Sequence, residues 1–258
     1  MSAQPSPADA GMTLVEHLTE LRKRLIICVV AVAIGMILGF IAYEWVFDFL
    51  LRPYADVIRQ QPSSGAIGDK LLQTDPLEGF GVRMKTSTYA GIAFAMPVIL
   101  WQIWKFVTPG LYEHEKRYAV PFVVSALVLF VLGAGLAYYT LPRAIEFLVD
   151  IGGDDLVTAF SPGKYFQLIT YMMLAFGIGF EFPIVLIFLE MAGILETDTL
   201  RKGRRFAIVG ICVLVAVITP SGDPISMLML SVPMVIFYEI AIIVGSIITK
   251  RQAARATA

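Results

Sequence analysis

Long apolar blocks, separated by short charged or proline-bearing segments, run the length of the chain at about 25–43, 86–107, 118–141, 165–189, 206–219 and 225–248. A helix needs roughly 20 apolar residues to cross a hydrocarbon core of ~30 Å, whereas a membrane barrel strand needs only ~9–11 and alternates in polarity. These blocks are long and do not alternate, so the pattern predicts helices with all backbone bonds made inside each segment. The expected fold is all-α: a polytopic membrane protein of six transmembrane helices. Residues 13–250 form one such domain, between a flexible cytoplasmic tail at 1–12 and another tail at 251–258. The fifth span is short. Only about 14 residues separate Arg205 from Pro220, or about 20 Å of helix, which calls for local bilayer thinning or support from neighbours.

Helix starts are signalled at one end of the bundle. Asp75-Pro76-Leu77-Glu78 offers an N-cap, a proline and an early carboxylate; Ser161-Pro162 and Asp223-Pro224 repeat the device. Pro97, Pro121, Pro183 and Pro233 fall inside blocks and predict kinks, tolerable where neighbours satisfy the freed carbonyls. Gly133-Ala134-Gly135 and the pair Gly177/Gly179 predict close helix contacts. Before the first block, Thr13-Leu14-Val15-Glu16 reads as a capping box with Met12 as its staple. It opens an N-terminal amphipathic cytoplasmic helix with Leu14, Leu18, Leu21 and Leu25 on one stripe. Glu20 points about 130° from that stripe, either into water beside Lys23 and Arg24 or toward a partner.

Charge sets the orientation. Arg22, Lys23, Arg24, Lys105, Lys116, Arg117, Arg201, Lys202, Arg204, Arg205, Lys250, Arg251 and Arg255 fall on one side, 13 in all; the longer loops of the other side carry 7. The positive-inside rule makes the first side cytoplasmic and, with six spans, puts both termini there. Composition agrees with the class: 57% hydrophobic, 16% charged, mean hydropathy +0.75, against about 45–50% and 25% for soluble domains. A net charge of −1 gives no footprint for nucleic acid. Cys28 and Cys212 lie in apolar blocks and read as small core hydrophobes. Because the first block follows Arg22-Lys23-Arg24 and exceeds a signal-peptide core, the first span is expected to be retained.

Catalytic signatures are lacking. The two histidines, His17 and His114, are far apart, and no metalloprotease, nucleophile-elbow, dithiol or phosphate-loop motif occurs. No enzyme, metal or cofactor is expected. Two carboxyls do stand inside spans, Glu181 and Glu239, at roughly 24 and 21 Å from the outer surface. Each marks either a functional interior or a protonated acid bonded to a neighbouring helix. Gln102 reads as interfacial polarity. The loop after the second block holds Phe106, Pro109, Leu111, Tyr112, Glu113 and Glu115, a solvated turn or a recognition surface.

The motifs at these places resemble the TatC family, the receptor core of the twin-arginine protein translocase. They are His17-Leu18-Thr19-Glu20-Leu21-Arg22-Lys23-Arg24; Pro97 to Phe106, leading into Pro109-Gly110-Leu111-Tyr112-Glu113-His114-Glu115-Lys116-Arg117; Ala175 to Pro183; and Thr219-Pro220, Asp223-Pro224, Pro233 and Tyr238-Glu239. The resemblance covers about residues 12–250 and is weakest in the outer loop at about 55–74, where no motif appears. It implies a non-enzymatic receptor in the cytoplasmic membrane for signal peptides with an S-R-R-x-F-L-K-like motif. Such a receptor works with TatA- and TatB-type single-span subunits, as a homo-oligomer within a receptor complex, and folded cargo crosses using the proton-motive force. It further implies that Glu20 and Glu115 contact the signal-peptide arginines, supported by Arg22, Phe106 and Leu111. Glu181 would face a membrane groove and a partner subunit, with Gln102 and Glu239 as secondary candidates. The alternative from another class is a proton- or ion-coupled small-molecule transporter using Glu181 and Glu239. The lack of an internal repeat or of paired broken helices opposes it.

Overall fold

Apolar segments with no competing strand pattern build helices, and the computed structural model describes them over residues 14–58, 71–73, 75–107, 119–151, 160–191, 194–219 and 222–256. They are α1 (Leu14–Ile41), α2 (Tyr43–Ile58), α3 (Glu78–Val107), α4 (Ala119–Asp150), α5 (Pro162–Gly179), α6 (Phe182–Met191), α7 (Thr197–Ile218) and α8 (Pro224–Ala256). Among the described residues, five helical stretches are long and apolar enough to cross a membrane: Val15–Ile41, Glu78–Phe106, Val120–Asp150, Pro162–Glu190 and Pro224–Ile247. The chain is an all-helical, multi-pass membrane protein. α7 is 22 residues long, but Asp198, Arg201, Lys202, Arg204 and Arg205 fill its first turns, so its apolar part spans only about 20 Å.

Several boundaries differ from those the apolar pattern suggests. α1 is continuous from Leu14, so residues 14–24 form its first turns rather than a separate helix. Nothing from Leu14 to Arg24 breaks a helix, and leucine, lysine and arginine all favour one. Leu18, Leu21 and Leu25 are exposed in the isolated chain. α3 begins at Glu78, α4 continues to Asp150 and α8 to Ala256. α8 thus stays helical through residues 251–256; Lys250, Arg251, Gln252 and Ala253 are good helix formers that carry it beyond its apolar block. Pro97 and Pro233 lie within helices as expected. Pro121 falls in the first turn of α4, where a missing N–H costs nothing. Pro183 instead interrupts the fourth apolar block, splitting it into α5 and α6. Residues 1–12 lie outside the described part.

The expected caps form. Asp75 Oδ1 accepts from the Leu77 N–H at 2.8 Å, Ser161 Oγ from the Lys164 N–H at 3.4 Å, and Asp223 Oδ1 from the Ser226 N–H at 2.6 Å. Glycine permits two close crossings. At α1–α3, a Cβ on Gly35 would stand 2.5 Å from the Gly91 carbonyl oxygen, and Gly39 backs onto Ser87. At α4–α5, Gly133 meets the Phe176 backbone and Gly177 lies under the Phe130 ring. α2 folds back over one end of the bundle. There Phe49 stacks on Tyr138 at 4.5 Å. The Tyr138 hydroxyl donates to the Phe49 carbonyl at 2.9 Å, and that of Tyr165 to the Leu50 carbonyl at 2.5 Å. The extra turns of α4 serve this cap, burying Leu141, Ala144 and Ile145 completely.

Candidate functional site

Glu20 lies in the second turn of α1 and is mostly shielded, its side chain 23% exposed. Arg24, one turn on, pairs with it through Nη2 and donates from Nε at 3.1 Å. The structure thus fills the local partner that the spacing allows. Arg22 is exposed on the same turn. One turn earlier His17 stacks on Phe106 at the end of α3, with ring centroids 4.6 Å apart and planes at 28°. Residues three apart share a helix face, so this stack brings Glu20 and Phe106 to one place. The close α1–α3 crossing at Gly35 and Gly91 makes that meeting possible. Leu111 and Glu115, assigned by resemblance to the same site, lie outside the described residues.

Glu181 occupies the break between α5 and α6. Its N–H bonds the Ile178 carbonyl at 3.0 Å and its carbonyl accepts from Val185 at 3.1 Å. Pro183 has no N–H to return to the carbonyl of Gly179, so the helix opens there. Glu181 Oε1 is buried with no hydrogen-bond partner among the described residues. Beside it Phe180 meets Phe237 of α8 edge-on, centroids 5.0 Å apart. This is an interior acid with an unmet acceptor, the kind of group a polar residue on another transmembrane helix satisfies.

Glu239 is engaged across helices. Its Oε2 pairs with Arg204 Nη2 at 2.8 Å, both side chains being substantially exposed. The neighbouring Tyr238 hydroxyl donates to the Leu200 carbonyl at 2.7 Å. Glu239 therefore sits at the charged start of α7, engaged, and does not join Glu181 inside the bundle. Gln102 is half-buried on α3 and joins neither group. Three features were not read from the sequence: the His17–Phe106 stack, the Arg204–Glu239 pair and the glycine crossing of α1 with α3. Only the last left a signal, the spacing of Gly35 and Gly39.

Fold and polar groups together define a multi-pass helical membrane protein with a broken, carboxyl-bearing span. The family model for TatC, described as "Sec-independent protein translocase protein (TatC)", matches residues 16–233. A Sec-independent protein translocase protein TatC of Frankia casuarinae is 41% identical over 96% of this chain and 69% of its own length. That of Aquifex aeolicus is 36% identical over 93% and 98%. A crystal structure of the twin-arginine translocase receptor TatC superposes with a TM-score of 0.75 at 36% identity, covering 91% of this chain and 100% of that one. The chain belongs to the TatC family, membrane components of the Sec-independent protein translocase, which are not enzymes.

Proposed function

We propose that the chain is the signal-peptide receptor of a twin-arginine translocase, reading adjacent arginines at the membrane edge where α1 meets the end of α3. The observation that carries this is the His17–Phe106 stack, which sets Glu20 beside the segment leading to Leu111 and Glu115. A guanidinium gives a carboxylate two parallel hydrogen bonds that an ammonium cannot copy. Consecutive arginines of an extended peptide point to opposite sides, so one glutamate on α1 and one on the following loop suit the pair. Arg22, Phe106 and Leu111 flank it. The chain has six spans, the sixth supplied by the short apolar part of α7, with both termini and the arginine-reading edge in the cytoplasm. Glu181 contacts a TatA- or TatB-type single-span partner, Gln102 and Glu239 flank that contact, and several copies assemble with these partners. Folded cargo then crosses the cytoplasmic membrane using the proton-motive force.

Photo-crosslinking in membranes tests both contacts together. A probe next to the arginine pair should label α1 around Glu20 and α3 around Phe106; one in the partner's transmembrane helix should label residues flanking Glu181. Labelling by the peptide probe confined to other regions would remove the receptor reading. A small-molecule transporter is the weaker reading, because Glu239 is exposed and engaged by Arg204, leaving no interior carboxyl pair.

A further inference from the structure

Between α2 and the adjoining halves of α3, α4 and α5 lies a cavity of about 170 Å³. Its wall is nearly all hydrocarbon, with Trp45 and Phe49 from α2, Ala93 and Phe94 from α3, Phe130 from α4 and Met173 from α5. Trp45 is 70% and Phe94 50% exposed, so the rim opens sideways, where the bilayer lies.

One polar group in the wall stands out. Thr86 is 1% exposed, and its hydroxyl has no hydrogen-bond partner among the described residues. Threonines in helices ordinarily turn the hydroxyl back to the carbonyl four residues earlier. Thr88, Thr140 and Thr170 do so at 2.8, 2.7 and 2.5 Å; Thr86 does not. A buried hydroxyl left unpaired is costly, and Thr86 forms part of this apolar wall. Arg83 lies three residues before it, on the same face of α3 and about 4.5 Å nearer the membrane surface. Its guanidinium sits over the rings of Phe40 and Tyr43, at 4.3 and 5.0 Å, and makes one long bond of 3.5 Å to the Phe40 carbonyl. Its Nε is buried without a partner. From the surface inward, α3 thus presents a cation, a hydroxyl donor and an apolar cavity. A phospholipid presents phosphate, ester carbonyl and acyl chain in the same order.

We propose that this cavity is a phospholipid site. One acyl chain fills it, the Thr86 hydroxyl donates to that chain's ester carbonyl, and Arg83 faces the phosphate. The lipid belongs to the extracytoplasmic leaflet on the orientation proposed above; the chemistry of the site does not depend on that orientation. An apolar peptide segment would match the walls but brings no anion to the cation, so charge favours the lipid. The bound chain wedges α2 against α3 and α5 and completes the cap.

The test uses the full chain in phosphatidylcholine–phosphatidylglycerol vesicles containing phosphatidylcholine with a mid-chain diazirine. Label mapped by mass spectrometry should concentrate on Ala90–Phe94 and Met173–Leu174. It should fall several-fold in Thr86→Val and Arg83→Gln, and in Ala93→Phe, which fills the space. Ester-linked lipid should compete for the site several-fold better than its ether-linked analogue, which lacks the carbonyl. Thr86→Val is nearly isosteric, so the comparison survives even if Ala93→Phe folds poorly. Label spread evenly over lipid-facing residues such as Val232 and Ile236 of α8, or unchanged in Thr86→Val, would overturn the site. So would displacement of the label by an arginine-pair peptide that itself crosslinks to Phe94. Discrimination between arginine- and lysine-pair peptides is a separate readout, so failure here leaves the receptor reading standing.

Discussion

Glu20 is already engaged in the free chain, and that changes what binding requires of it. The Arg24 guanidinium occupies the carboxylate, so an incoming arginine exchanges one guanidinium for another. A helical pair at this spacing is worth only a few tenths of a kcal/mol, a small barrier beside the roughly 1.5–3 kcal/mol of a charge-assisted bond. Removing the competitor should help: Arg24→Gln is expected to raise the affinity of an arginine-pair peptide about twofold, measured by titration against the purified protein in nanodiscs. Weaker binding would show that Arg24 aids recognition instead. The Arg24 pair was legible in the sequence, because i,i+4 spacing names it. Glu239 was less legible. A residue count gives depth along one helix, but not which cation of another helix reaches it, and Arg204 comes from the fifth block.

At the scale of elements, the apolar blocks showed the long helices but not α2, which follows the first block, nor where each helix stops, since propensity carries α1, α4 and α8 past their blocks. Nor did they show that Pro183 divides one span while Pro97 leaves another whole; neighbouring helices decide that. The α1–α3 crossing matters most, because it holds His17 against Phe106. A Cβ on Gly91 would lie 2.5 Å from the Met36 nitrogen and 2.7 Å from its Cα, backbone atoms that cannot swing aside. Gly91→Val should therefore push the helices apart and cost about 1–3 kcal/mol. Thermal unfolding in mild detergent should show a lower midpoint, with weakened peptide binding from the displaced Phe106. An unchanged midpoint would mean that this crossing is not tight in solution. Gly210, where an added Cβ meets nothing, is the control.

For the whole molecule, apolar blocks made the class readable, and basic asymmetry carries the proposed orientation; the way α2 caps the bundle was not readable, since it depends on tyrosines 89 and 115 residues away from their acceptors. Reporters inserted near Arg201–Arg205 or after Arg255 should read cytoplasmic, and those near Asp154 or Ser63–Gly65 extracytoplasmic; an extracytoplasmic C-terminus would reverse the orientation. The central claim is that Glu20, at the α1–α3 edge, and Glu115 together tell arginine from lysine. Its most direct test is the ratio of affinities of an arginine-pair peptide and its lysine-pair analogue for the protein in membranes. Glu20→Gln and Glu115→Gln should each weaken the arginine peptide about tenfold or more, at roughly 1.5–3 kcal/mol per charge-assisted bond, and change the lysine peptide much less, compressing the ratio. Glu113→Gln should leave it nearly intact. Wild-type discrimination in both the Glu20 and Glu115 variants would contradict the account and place recognition elsewhere on the molecule.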